Sequence, residues 1–210
     1  VSVIRKYLLH HNALRLVDFG ASEGRTLLEM RELLGGKGDY IGIEYDRGLI
    51  ESAPQLPQNV LLIQGDVTDL SHIPDGSADV ITALAVLEHL NDPGAALREA
   101  NRILKPGGLF IATAPNPFWD HVADMFKMST FGGEHHEVDM NEKFFRTITK
   151  NADLEYVTFF PFMWVVVGFL PYLKIPVSAS FAWKMDKIIK YFKILNWSFV
   201  NQCFVAKKRN

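Results

Sequence analysis

What the chain lacks narrows its class before any motif is considered. Its 210 residues include one cysteine, Cys203, which excludes an intrachain disulfide and fits a reducing, cytoplasmic compartment. The formal net charge is -2, so the excess of basic groups that a broad nucleic-acid footprint requires is absent. The most apolar stretch, Phe160 to Leu173, is 14 residues long and contains Pro161 and Pro171, too short and too broken to cross a bilayer. Residues 1–12 carry Arg5 and Lys6 but no continuous apolar core of a secretory signal. Two glycine motifs are also missing. No Gly-Lys-Ser/Thr phosphate loop occurs, and a dinucleotide fingerprint starting at Gly20 meets Ser22 and Arg25 where it needs glycine.

What is present is a 48% hydrophobic composition, enough for one well-packed domain over 1–210. Strand and helix patterns alternate along it. Leu14 to Phe19 is an apolar run, and Leu27, Met30, Leu33 and Leu34 give residues 26–34 a helical stripe. Short apolar runs follow at Tyr40 to Ile43, Val60 to Ile63, Asp79 to Ala83 and Leu109 to Ala114, with two more at Leu154 to Phe160 and Phe199 to Ala206. Helices are expected near residues 4–11 and over 49–53. Another starts at Asp92-Pro93, a capping residue followed by proline in the first helical position, and stops at Pro106-Gly107-Gly108. Asn141, flanked by Met140 and Phe145, predicts a helix over 142–151.

The chemistry concentrates at strand ends. Asp18-Phe19-Gly20-Ala21-Ser22-Glu23-Gly24 places small residues in the turn between the first strand and its helix, where a ligand can lie against backbone and meet unpaired N–H groups. An acid at position 18 repels a phosphate and suits an ammonium group. Glu44 ends the second strand, 26 residues after Asp18, where a carboxylate accepts ribose hydroxyls. Asp66 follows the third strand and can accept from an adenine amino group. An amine, a ribose diol and an adenine without phosphate describe S-adenosylmethionine.

Over residues 13–115 the chain resembles the class I S-adenosylmethionine-dependent methyltransferases of the small-molecule type. Asp18 to Gly24 matches the first family motif with Ser22 in place of a usual glycine; Glu44 and Asp66 match the ribose and adenine positions. Asp79 to His89 looks like the fourth strand and its loop, and Arg102 to Gly108 like the turn into the fifth strand. The resemblance implies an α/β, Rossmann-like sheet of seven strands in the order 3-2-1-4-5-7-6, strand seven antiparallel, with helices on both faces. It implies cofactor contacts at Asp18, Gly20, Ala21, Gly24, Glu44, Tyr45, Asp66, Val67 and Ala83. A nicotinamide-dependent oxidoreductase is disfavoured by Ser22, Arg25 and Asp66. A non-catalytic module that keeps the cofactor fold for a partner is the alternative reading.

Acceptor groups are expected after strands four and five, among Glu88, His89, Asn116, Trp119, His121, Glu134, His135, His136 and Glu137. His89, His135 and His136 are the candidate bases for a hydroxyl acceptor. No metal is expected, because the adjacent His135, His136 and Glu137 lack a distant fourth partner. Residues 161–198 stand apart: they hold Trp164, Trp183 and Trp197 and form an apolar helical insert. From residue 179 to 195, Phe181, Met185, Ile188, Phe192 and Leu195 share one helical face, and Lys184, Lys187, Lys190 and Lys193 lie away from it. The expectation is a lid or dimer helix with its apolar face packed, and a small apolar or amphiphilic acceptor beneath; the alternative is a peripheral contact with an anionic membrane.

Overall fold

The computed structural model describes residues 14–125, 137–170, 175–191 and 193–210. Seven strands form one sheet: β1 (Leu14–Phe19), β2 (Gly38–Glu44), β3 (Val60–Gln64), β4 (Ala78–Leu84), β5 (Leu104–Pro115), β6 (Leu154–Trp164) and β7 (Phe199–Lys208). Their order is β3-β2-β1-β4-β5-β7-β6, and β7 runs antiparallel to both neighbours. The helices are α1 (Arg25–Leu33), α2 (Arg47–Glu51), α3 (Pro93–Ile103), α4 (Pro117–Met125), α5 (Glu142–Asn151), α6 (Val165–Phe169) and α7 (Ala179–Tyr191), with 3₁₀ turns at Leu87–His89 and Lys193–Ser198.

Both sheet faces are covered, which is why the central strands are almost uniformly apolar. Alternation in β1 sends Val17 and Phe19 into a core with Leu97, Ala100, Phe145 and Phe204, and Leu14 and Leu16 into a second core with Leu27, Met30 and Tyr40. The Asp92 carboxylate caps α3 by accepting from Ala95 N, and Asn141 caps α5 by accepting from Phe144 N at 2.9 Å. Met140 and Phe145, either side of that cap, are both buried.

Several boundaries differ from the sequence reading. The second helix spans Arg47–Glu51 because Asp46 caps it from Gly48 N at 2.7 Å. β5 begins at Leu104, passing the Pro-Gly-Gly segment through a left-handed Gly107 (φ 76°). β6 continues through Pro161 to Trp164, which only an edge strand allows, so the insert starts at Val165 rather than at residue 161. The helix expected near residues 4–11 lies outside the described residues.

The insert helix also turns the other way. In α7, Asp186 is buried; Phe181, Trp183 and Ile188 are 48%, 48% and 54% exposed. The Asp186 carboxylate accepts from Met163 N (2.8 Å) and Trp164 N (2.9 Å) at the end of β6. Two charge-assisted bonds outweigh the apolar stripe and rotate the helix so that its acid faces the sheet.

Candidate functional site

The carboxyl ends of β1, β2, β3 and β4 meet around a cleft of about 670 Å³. Its walls are Gly20, Glu44, Tyr45, Gly65, Asp66, Val67 and Thr68 on one side, and Val86, His89, Leu90, Asn91, Asp92 and Ala95 on the other. Such a volume suits a ligand of nucleoside size.

The β1–α1 turn is held in shape by backbone. Gly20 N and Ala21 N both donate to Ile43 O, at 2.8 and 3.0 Å. Gly20 has φ 70°, and a Cβ there would overlap a Val86 methyl, so glycine is required by both conformation and space. Ser22 adopts φ 50° without being glycine. Its N–H donates to Glu44 Oε2 at 2.8 Å, and its hydroxyl donates to Glu23 Oε2 at 2.6 Å. Together with Arg25, that hydroxyl holds the Glu23 carboxyl down at about 2.

The three strand-end acids differ in environment. Glu44, nearly buried, accepts from Ser22 N through one oxygen and from Asp46 N (2.9 Å) through the other, so its carboxylate plane is fixed in the cleft wall. Asp66 is exposed, with Oδ1 accepting from Thr68 N at 2.8 Å and Thr68 Oγ1 at 2.7 Å. Asp18, two residues before Gly20, is 2% exposed and accepts from Thr82 Oγ1 at 2.5 Å. Burial pushes its carboxyl up to about 7, the Thr82 bond working against the shift and the nearby Glu44 charge adding to it. Among the described residues no Lys, Arg or His forms an ion pair with Asp18. A carboxyl buried in this way is favoured in its neutral, Thr82-bonded form, and a cation brought beside it would favour the ionised form.

Of the sequence-expected contacts, Gly20, Glu44, Tyr45, Asp66, Val67 and His89 line the cleft together. Asp18, Ala21 and Gly24 shape the turn behind it, Gly24 as the left-handed residue that starts α1. Ala83 is fully buried within β4, paired with Phe19 and Ala112, and is not part of the cleft wall. Thr82 and Val86 lie within the Asp79 to His89 stretch but had no site role there, Gly65, Asn91 and Ala95 carry no site signal, and Asp92 is evident in sequence only as a helix cap.

The acceptor candidates separate. Glu88 is buried, and its carbonyl accepts from Glu137 N at 2.7 Å. Asn116 and Trp119 bond the start of β7 and do not line the cleft: Asn116 Nδ2 donates to Phe199 O at 2.8 Å, Trp119 Nε1 donates to Trp197 O at 3.1 Å, and the indoles of Trp119 and Trp197 stack. His121 pairs with Asp139 at 3.2 Å with both side chains exposed. Glu134, His135 and His136 lie outside the described residues. No group of three or more metal-type ligands occurs among the described residues.

Residues 17–112 match the methyltransferase-domain family. The chain is 34% identical over 76 residues to a probable S-adenosylmethionine-dependent methyltransferase of Mycolicibacterium smegmatis, covering 36% of this chain and 29% of that protein. It is 29% identical over 101 residues to the demethylmenaquinone methyltransferase of Staphylococcus aureus, covering 47% and 42%. The chain thus spans less than half the length of these relatives. A crystal structure of an S-adenosylmethionine-dependent methyltransferase from Archaeoglobus fulgidus has the same fold, with a TM-score of 0.67 at 17% identity over 99% of this chain and 92% of that one. The domain match falls on the strands that end in Asp18, Glu44 and Asp66, so residues 17–112 are similar to the methyltransferase-domain family and the chain shares the fold of a solved S-adenosylmethionine-dependent methyltransferase.

Proposed function

We propose that the protein transfers the methyl group of S-adenosylmethionine to an oxygen of a small apolar or amphiphilic acceptor in the cytoplasm. One observation supports the donor: Glu44 and Asp66 line one cleft with the tight Gly20 turn, behind which Asp18 is buried against Thr82. The bound donor supplies an electrophilic sulfonium methyl. Glu44, braced by two backbone N–H groups, is set to hold a ribose diol without reorganising. Asp66 stands at the adenine end, and Asp18 provides the counter-charge for the amino-acid end. Much of the rate then comes from holding the acceptor in line with the methyl.

His89 is the described histidine in the cleft wall and our candidate base for a hydroxyl acceptor; His135 and His136 remain further candidates. The likeness to a demethylmenaquinone methyltransferase supports a quinone-like, apolar acceptor, and the aromatic content of the insert agrees with it. No helix among the described residues is long and apolar enough to cross a membrane. The test is transfer of labelled methyl from S-adenosylmethionine to a panel of quinols, phenols and lipid hydroxyls. Transfer to an apolar hydroxyl compound supports the reading; transfer confined to amines or polar acids contradicts the oxygen and the apolar acceptor.

A further inference from the structure

We propose that the outward face of α7 docks on an anionic lipid surface. This rests on the insert alone and stands or falls independently of the donor and acceptor assignments.

Phe181, Trp183 and Ile188 are each about half exposed, on the side of α7 that also carries the exposed Lys184 and Lys187. A lid or core helix would hide that apolar set; here the sheet receives the opposite side. The charge is sorted just as sharply. Residues 161–198 contain five lysines and a single acid, Asp186, in a chain whose net charge is -2. That acid is buried, with both carboxylate oxygens bonded to backbone N–H groups of β6. The outward surface of α7 is therefore aromatic and cationic with no acid on it. Lys187 Nζ lies 3.6 Å from the centre of the Trp183 ring, an arrangement that keeps the cation beside an indole at the surface.

Aromatic side chains with interspersed lysines on one exposed helical face are what an interfacial helix needs: rings at headgroup depth and cations against anionic phosphates. A second copy of the chain fits this face poorly, because a two-fold contact through α7 would set Lys184 and Lys187 against their own copies without an intervening acid. The placement is also functional. β5 and β6 both run antiparallel to β7 and so point the same way, which puts the end of β6, and α7 anchored to it, at the carboxyl edge of the sheet. The cleft opens at that same edge. Docking through α7 would hold this end of the sheet close to the bilayer, from which an amphiphilic acceptor can reach the cleft.

The experiment is co-sedimentation of the full chain with vesicles of phosphatidylcholine alone and of phosphatidylcholine mixed with phosphatidylglycerol, at low and high salt. We expect binding to the mixed vesicles, weakening as salt is raised. Lys184→Glu with Lys187→Glu should reduce it roughly tenfold or more. Phe181→Ser with Ile188→Ser should abolish it, each variant keeping the parent's unfolding temperature within a few degrees. Absence of vesicle binding, or binding that neither variant changes, overturns the proposal. So does a concentration-dependent dimer that Phe181→Ser dissolves, which would assign the face to a second copy.

Discussion

Asp18→Asn separates what this residue does for the fold from what it does for the ligand. In the folded protein the Asp18 carboxyl titrates at about 7, against an ordinary value of 3.8. Because the folded value is the higher one, no penalty exists below the ordinary value, where both states hold the proton. As pH rises from 3.8 to 7 the unfolded chain ionises and the folded one does not, so stability falls; above 7 the loss is complete. At about 1.4 kcal/mol for each pH unit, the full loss is on the order of 4 kcal/mol. Asparagine keeps the acceptor for Thr82 Oγ1 and carries no charge at any pH. The variant should therefore unfold close to the parent near pH 4 and progressively higher above it, the gap reaching on the order of 10 °C at pH 8 for a domain of this size. Donor binding should move the opposite way. Without a counter-charge for the ammonium group, affinity should fall by about 1.5–3 kcal/mol. In the parent itself, if only the ionised form receives the donor, affinity should rise about tenfold between pH 6 and pH 8 as the competent fraction grows. Thermal unfolding from pH 4 to 8 and calorimetric titration with S-adenosylhomocysteine at pH 6 and 8 check both halves. A stability gap that stays constant with pH, or a variant that binds as the parent does, refutes the reasoning.

Three further substitutions probe other parts of the account. Glu44→Ala should weaken S-adenosylhomocysteine binding by about 1.5–3 kcal/mol in the same titration. Glu44→Gln should recover little of that loss, since its NH₂ must face one of the two N–H donors, Ser22 or Asp46, that the carboxylate now satisfies. His89→Ala should lower turnover by ~10²–10⁴-fold, with donor affinity within a few-fold of the parent, measured by labelled-methyl transfer with a hydroxyl acceptor. Asp186→Ala leaves the N–H groups of Met163 and Trp164 without their acceptor and should cost about 2 kcal/mol or more. Hydrogen exchange should rise first in residues 163–170 and 179–191, before the central strands are affected.

Local patterns carried the central sheet. Buried strands such as β1, β2 and β4 are apolar runs between turn residues, and their terminal acids are visible as breaks in those runs. The Asp92 and Asn141 caps were equally plain, because a cap is chemistry within four residues. The errors lie where distant residues decide. Pro161 marked the end of β6 in sequence, yet the strand continues through it because it stands at the sheet's edge beside Gln202 of β7. The insert helix was expected to bury Phe181 and Ile188; a single acid, Asp186, reaching two N–H groups 22 and 23 residues earlier, set its rotation instead. At the site, Asp18, Glu44 and Asp66 stood out, whereas Thr82, which bonds Asp18 across 64 residues, gave no local sign. Asn116 and Trp119 fell after β5 as expected of acceptor groups, but the fold uses them to tie α4 to the start of β7.

The central claim is that the cleft at the β1, β2 and β3 ends receives S-adenosylmethionine. Isothermal titration of the purified chain at pH 8 with S-adenosylhomocysteine, and in parallel with NAD, tests it most directly. The account predicts one S-adenosylhomocysteine per chain with a dissociation constant on the order of micromolar, about -8 kcal/mol, weakened by Glu44→Ala, and no comparable heat from NAD. Tight binding of NAD with no response to S-adenosylhomocysteine would contradict it.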